Sequence, residues 1–111
     1  MKKYEIWLAN LTPSKGTEAS KIKPVIIIQT NFLNDINHKS TIILPITSNL
    51  STKENVLRVK LNLPLEKLTK TSEIMVDQFR AIDNKRFIEK LAYLPTILQK
   101  ELNQKIADIL N

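Results

Sequence analysis

The run Gly16-Thr17-Glu18-Ala19-Ser20-Lys21-Ile22-Lys23-Pro24-Val25-Ile26-Ile27-Ile28 places an acid, two hydroxyls and two lysines on a polar loop leading straight into an apolar strand. These groups are enough to handle a phosphate and a proton. Ammoniums meet the anion, hydroxyls donate to its oxygens, and a carboxylate moves the proton. Gly16 is the only glycine in the chain and marks a backbone angle or close approach that other residues do not supply. Further along, Thr47 and Ser48 bring hydroxyls to the end of an apolar run, and Asp77, Gln78 and Arg80 form a second polar group.

Composition narrows the chemistry. The chain has no cysteine, which removes disulfides, thiolate nucleophiles and Cys-ligated zinc. It has one histidine, His38, so neither a two-histidine ribonuclease within one protomer nor a His-rich metal site is expected. No metal or other cofactor is expected. Seventeen basic residues against eleven acidic ones give a formal charge of +6. That excess fits a polyanionic partner, nucleic acid or an acidic protein, or serves solubility alone. With six aromatic residues, a reader built on base stacking is disfavoured.

The elements that must position these groups follow from pattern. At 111 residues the expectation is one domain, 1–111, with a single core. No apolar run approaches the ~20 residues of a membrane-spanning helix. The start of the chain does not read as a secretory signal, so a cytoplasmic location is expected. Strands are expected at 4–8, 24–30, 41–46, 56–61, 73–79 and 86–93. The Val-Ile-Ile-Ile run of the second is expected to be buried on both faces, and 56–61 to have one wet face. Residues 31–40 read as a loop with a short helical turn holding a solvated His38, and 64–68 as a brief helical turn. After Pro95, the residues Ile97, Leu98, Leu102, Ile106, Ile109 and Leu110 predict an amphipathic helix capped by Thr96. The expected architecture is mainly β: a small, partly open barrel closed by one helix. Trp7 and Tyr4 read as core or dimer-contact residues.

Four stretches in order give the chain a resemblance to the MazF/PemK family of toxin endoribonucleases. They are Glu5-Ile6-Trp7-Leu8-Ala9-Asn10-Leu11-Thr12-Pro13; Gly16-Thr17-Glu18 followed by Lys23-Pro24-Val25; Leu44-Pro45-Ile46-Thr47-Ser48; and Asp77-Gln78-Phe79-Arg80-Ala81-Ile82-Asp83 with Arg86 beyond. The resemblance implies an SH3-like barrel with a C-terminal helix, working as a homodimer. It implies metal-independent cleavage of single-stranded RNA and neutralisation by an antitoxin whose acidic, disordered segment covers the RNA groove.

On that resemblance, Glu18 is the first candidate for the base, with a solvated loop acid as its alternative. Lys23 is the candidate cation at the phosphate. The family usually has arginine there, a flat two-pronged donor where lysine is a point charge, so the departure bears on turnover more than on binding. Lys21 shares that task. Thr47 donates to a phosphate oxygen and Ser48 adds a second donor; the alternative for Thr47 is simple strand termination. Asp77 is a second possible base. Members that use it place a basic residue two positions earlier, where this chain has Met75. Thr17, Gln78, Arg80, Lys15 and Arg58 are candidate RNA contacts.

Two other classes remain at this stage. A gyrase poison of the CcdB type on the same fold needs a tryptophan in its C-terminal tail, whereas this chain ends Ile109-Leu110-Asn111 and its only tryptophan is Trp7. A non-catalytic RNA- or partner-binding barrel is supported by Lys23 alone.

Overall fold

The computed structural model describes residues 1–11, 21–51, 56–61 and 64–111. Seven strands form one antiparallel system: β1 (Glu5–Asn10), β2 (Ile22–Ile27), β3 (Ser40–Thr47), β4 (Arg58–Leu61), β5 (Ser72–Met75), β6 (Arg80–Asp83) and β7 (Phe87–Tyr93). Two α-helices, α1 (Asn31–Asp35) and α2 (Thr96–Leu110), and a short 3-10 helix (Asn84–Arg86) complete it among the described residues. The strand order is β4-β5-β3-β2-β1-β7, with β6 also on β3. The sheet curls without a continuous ladder around it. One backbone bond, from Lys67 N–H to the Leu91 carbonyl at 2.9 Å, ties the segment after β4 to β7 at the far end of the strand order. The expected barrel-like form with a C-terminal helix is what the chain adopts.

The β-branched run of β2 sits at the centre because it serves two cores. Val25, Ile26 and Ile27 are all fully buried. Ile26 joins Ile6, Leu44, Ile46, Val59 and Ile74 in a core under α2. Val25 and Ile27 join Ala9, Leu11, Ile43 and Ile82 in a second, with Trp7 and Phe87 at its margin. Alternate residues facing opposite sides of the strand make this possible. In β4 the alternation leaves Val59 and Leu61 buried and Lys60 exposed, the wet face its pattern predicts.

Three local expectations are corrected. The segment 73–79 is not one strand. Ile74 pairs with Ile46 and Arg80 with Ile43, so six steps on this segment answer three on β3. The surplus bulges into a turn in which Gln78 N–H reaches the Met75 carbonyl at 3.3 Å. Residues 64–68 form a tight turn closed by a Leu65–Leu68 bridge, with Glu66 at φ 47°, not a helical turn. Thr96 is the first residue of α2; Pro95 precedes it as the cap residue, and no side chain caps the helix.

The helix is amphipathic, but its buried face is narrower than the apolar pattern suggests. Leu98 and Leu102 are buried and Ile106 packs partly against the core. Ile97 remains 78% exposed because it lies about 100° around the helix from Leu98. Tyr4 packs against this core with φ 74°, its hydroxyl donating to Asn103 Oδ1 of α2 at 3.0 Å. Trp7 meets Phe87 edge-on, with ring centroids 5.8 Å apart. Both aromatics therefore pack as structural residues, and His38 is exposed in its loop as expected.

Candidate functional site: a cationic cleft where two strands part

The ladder between β2 and β3 pairs Ile27 with Ile43, Ile26 with Leu44 and Val25 with Pro45, and stops there. Continuing that register by two residues sets Lys23 across from Thr47. Where the ladder ends, a cleft of about 380 Å³ opens, lined by Lys23, Pro24, Thr47, Ser48, Lys70 and Ser72 among others. Pro24 contributes to this opening. The Ile28 N–H to Ile42 carbonyl bond sets the alternation that turns Pro24 N toward β3, and proline has no N–H to donate there.

The chemistry of the lining is one-signed. Lys23 and Lys70 are exposed ammoniums, and no carboxylate appears among the described residues that line the cleft. Thr47 Oγ1 accepts the Asn49 N–H at 3.0 Å, which ends β3 and fixes the hydroxyl. With its oxygen engaged as an acceptor, the Thr47 O–H is oriented to donate, as an incoming anionic oxygen requires. Ser48 is exposed beside it and carries a second hydroxyl. The terminating role of Thr47 and its position in the cleft coexist in one side chain. A concave surface with two ammoniums and two hydroxyls concentrates anions and can hold a phosphate.

Of the residues predicted from sequence, Lys23, Thr47 and Ser48 come together here. Lys21 lies two residues before Lys23, and its carbonyl accepts the Leu11 N–H at 2.7 Å, closing the β1–β2 pair at this end of the sheet. Lys15, Gly16, Thr17 and Glu18 lie outside the described residues. Asp77 and Gln78 ride on the surplus turn between β5 and β6; both are exposed and neither lines the cleft. Arg80 Nη2 donates to the Leu11 carbonyl at 3.3 Å and Arg86 Nη1 to the Asn10 carbonyl at 3.1 Å, so both guanidiniums brace the exit of β1. Arg58 is not a free surface cation. Its Nη1 donates to Glu73 Oε1 at 3.1 Å and to the Asn49 carbonyl at 3.2 Å.

Sequence reasoning missed Lys70 and Glu73. Lys70 carried no signal beyond its charge. Glu73 did carry one: a charged residue at the start of an apolar strand pattern, here 1% exposed. Among the described residues, the only resolved shift of a titratable group lies elsewhere, at Glu5. Burial alone would raise its pKa. Hydrogen bonds from the Trp7 indole and the Lys2 N–H, together with the Lys90 ammonium at 3.2 Å, outweigh burial and hold the carboxyl below its ordinary value. No group of three or more metal-ligating side chains occurs among the described residues. Among the described residues no helix is long and apolar enough to cross a membrane.

Comparison with known proteins matches these observations to a family. The family described as PemK-like, MazF-like toxin of type II toxin–antitoxin system matches residues 2–110. A curated relative, Endoribonuclease MazF of Staphylococcus saprophyticus, is 35% identical over 109 residues, covering 96% of this chain and 88% of its own. Among solved structures, MazE-MazF (Form-II) from Deinococcus radiodurans superposes with a TM-score of 0.80 at 22% identity, covering 99% of this chain and 95% of that one. The Mycobacterium tuberculosis toxin MazF-mt6 gives 0.78 at 18% identity, covering 96% and 95%. With its fold shared by the solved toxins and its sequence matched over nearly its full length, this chain belongs to the PemK-like, MazF-like toxin family of type II toxin–antitoxin systems.

Proposed function

We propose that the protein is a sequence-selective endoribonuclease toxin acting on single-stranded RNA at the Lys23–Thr47 cleft. The observation that carries this reading is the cleft itself, with cation and hydroxyl facing each other where β2 and β3 part. Membership of the toxin family and the 35% identity to a curated endoribonuclease support it.

The chemistry needs no group beyond side chains. RNA carries its own nucleophile in the 2′-hydroxyl. Glu18, three residues before Lys21 in sequence, takes the 2′ proton. The 2′-oxygen attacks the adjacent phosphorus, and the bond from phosphorus to the 5′-oxygen breaks. Lys23 stabilises the five-coordinate phosphorane, and its ammonium is the donor for the departing 5′-oxygen. Thr47 and Ser48 donate to the non-bridging oxygens. The products are a 2′,3′-cyclic phosphate and a 5′-hydroxyl. Lys15, Thr17, Lys21, Gln78 and Arg80 contact the RNA on either side; Asp77 does not line the cleft and takes no part in this proton transfer. Cutting mRNA in this way stops translation and growth.

The whole chain, 1–111, acts as one toxin domain in the cytoplasm, as a homodimer, without a metal. Its +6 charge suits an acidic antitoxin segment that occupies the same cleft and excludes RNA. The solved relatives that include a MazE-MazF assembly and a mycobacterial endoribonuclease with its cognate antitoxin support that partner class. Incubating the purified protein with a mixed transcript pool in EDTA tests the reading. Discrete cuts at short recurring sequences are expected; RNA left intact across the pool overturns it.

A further inference from the structure

Glu73 is the one buried charged residue among the described residues, and half of its carboxylate has no partner. Oε1 accepts from Arg58 Nη1 at 3.1 Å and from the Ser51 N–H at 2.9 Å. Oε2 is sealed from solvent and accepts nothing. A buried carboxylate oxygen without a donor destabilises the fold, and an apolar side chain of similar shape would avoid that cost. A ligand that brings the donor would complete the site.

The surroundings indicate which ligand. Glu73 pairs with Thr47 on one side and Lys60 on the other, so the three side chains form a row on one face of the sheet. A cavity of about 220 Å³ lies at this row, lined by Leu50, Ser51, Lys60, Thr71, Ser72 and Glu73 among others. Ser72 also lines the Lys23–Thr47 cleft, so the two hollows adjoin. Glu73 lines this cavity, and the terminal torsion of a glutamate is soft, so a ligand there meets Oε2 by turning the carboxylate about that torsion at the expense of the Oε1 geometry. The cavity therefore offers one acceptor, Glu73 Oε2, beside one donor, the Lys60 ammonium, next to the place where a scissile phosphate would sit.

We propose that this cavity takes one nucleobase of the bound RNA and selects bases whose amino group stands at C6 or C4, adenine or cytosine. The proposal rests on the ribonuclease reading above and adds the residue that sets part of its specificity. Cytosine shows its N4 amino group beside the N3 acceptor, and adenine shows its N6 amino group beside the N1 acceptor. Both match an acceptor next to a donor. At that position uracil and guanine present a carbonyl, which the carboxylate repels, and beside it a ring N–H, which opposes the ammonium; the 2-amino group of guanine lies beyond that N–H. Single-stranded RNA leaves these Watson–Crick edges open to such reading.

Sequencing of cut ends from a randomised RNA pool tests this. Wild type is expected to favour adenine and cytosine over uracil and guanine at one fixed position, on the order of tenfold or more. Glu73→Gln puts an amide donor where Oε2 was, and the preference should swap toward uracil and guanine. Lys60→Met should weaken the preference without reversing it. A wild type with no such preference at any position, or an unchanged profile in a folded Glu73→Gln protein, overturns the proposal. If circular dichroism shows Glu73→Gln unfolded, an unchanged profile in Lys60→Met overturns it instead. A wild type that leaves the pool intact refutes the ribonuclease reading. Retention of the same pool on immobilised protein then decides the base preference: enrichment of adenine and cytosine supports it, and none overturns it.

Discussion

Thr47 and Glu73 are cross-strand partners on β3 and β5, so the hydroxyl at the edge of the cationic cleft stands beside the buried carboxylate. A change at either residue is felt at the other through one rung of the ladder. The residues assigned to chemistry and to base choice thus share a rigid support, which holds catalytic geometry better than a loop does.

Lys23→Met removes the cleft ammonium opposite Thr47 and should lower single-turnover cleavage by about 10²- to 10³-fold, the usual cost of losing one transition-state donor. RNA binding should weaken less, with the salt slope falling by about one. Lys23→Arg should retain most of the activity. Quenched-fluorescence cleavage assays with a salt titration check both; equal rates for Lys23→Met and wild type would remove Lys23 from the site.

Thr47→Val keeps the shape of the side chain and removes its hydroxyl. Cleavage should fall at least tenfold, while stability drops by about 1 kcal/mol because the Asn49 N–H loses its acceptor. Thr47→Ser should restore both. Paired measurement of rate and urea midpoint separates the effects, and a rate that follows stability alone would leave Thr47 as a strand terminator only.

Arg58→Met strands Glu73, which is 1% exposed, without its cation. Removing one partner of a buried pair costs about 3–5 kcal/mol, less here because Arg58 keeps 24% of its side chain in solvent. Adding Glu73→Leu should recover most of that loss. Urea unfolding of wild type, single and double variants checks it; a double variant as unstable as the single would contradict the reading.

Glu5 gives a pH dependence whose sign is fixed. Its folded pKa lies below the ordinary glutamate value, so its contribution to stability is present above that ordinary value. The contribution is lost as pH falls through the depressed folded value. Glu5→Gln should therefore flatten the acid limb of a stability–pH curve and lower the plateau at neutral pH. Thermal melts from pH 3 to 7 read both, and an acid limb unaltered by Glu5→Gln would count against the linkage.

Leu102→Ala should cost about 2–5 kcal/mol, since Leu102 is fully buried between α2 and the sheet. Ile97→Ala, at 78% exposure, should cost little. Comparable melting temperatures for the two variants would place the helix on the wrong face.

The strands were legible because their residues left few options. Val25, Ile26 and Ile27 are too apolar for any surface, and the Arg58–Leu61 alternation admits one wet face. What pattern did not reveal were effects of pairing. The surplus turn at Asp77 exists because β3 offers three steps where the other segment has six, a mismatch visible only with both strands in place. Arg58 read as a candidate RNA contact because its partner Glu73 lies fifteen positions away in sequence. Lys23, Thr47 and Ser48 were singled out because they stand in stretches that resemble the toxin family; Lys70 shares the cleft but lies in no such stretch.

The most direct measurement uses one RNA substrate and a copy with a single 2′-deoxy nucleotide at the cut position, both in EDTA. Cleavage of the all-ribose strand to a 2′,3′-cyclic phosphate and a 5′-hydroxyl is predicted, with the deoxy copy uncut at that position. A deoxy strand cut as fast as the ribose strand, or 5′-phosphate ends from either, would contradict attack by the neighbouring hydroxyl at the Lys23–Thr47 cleft.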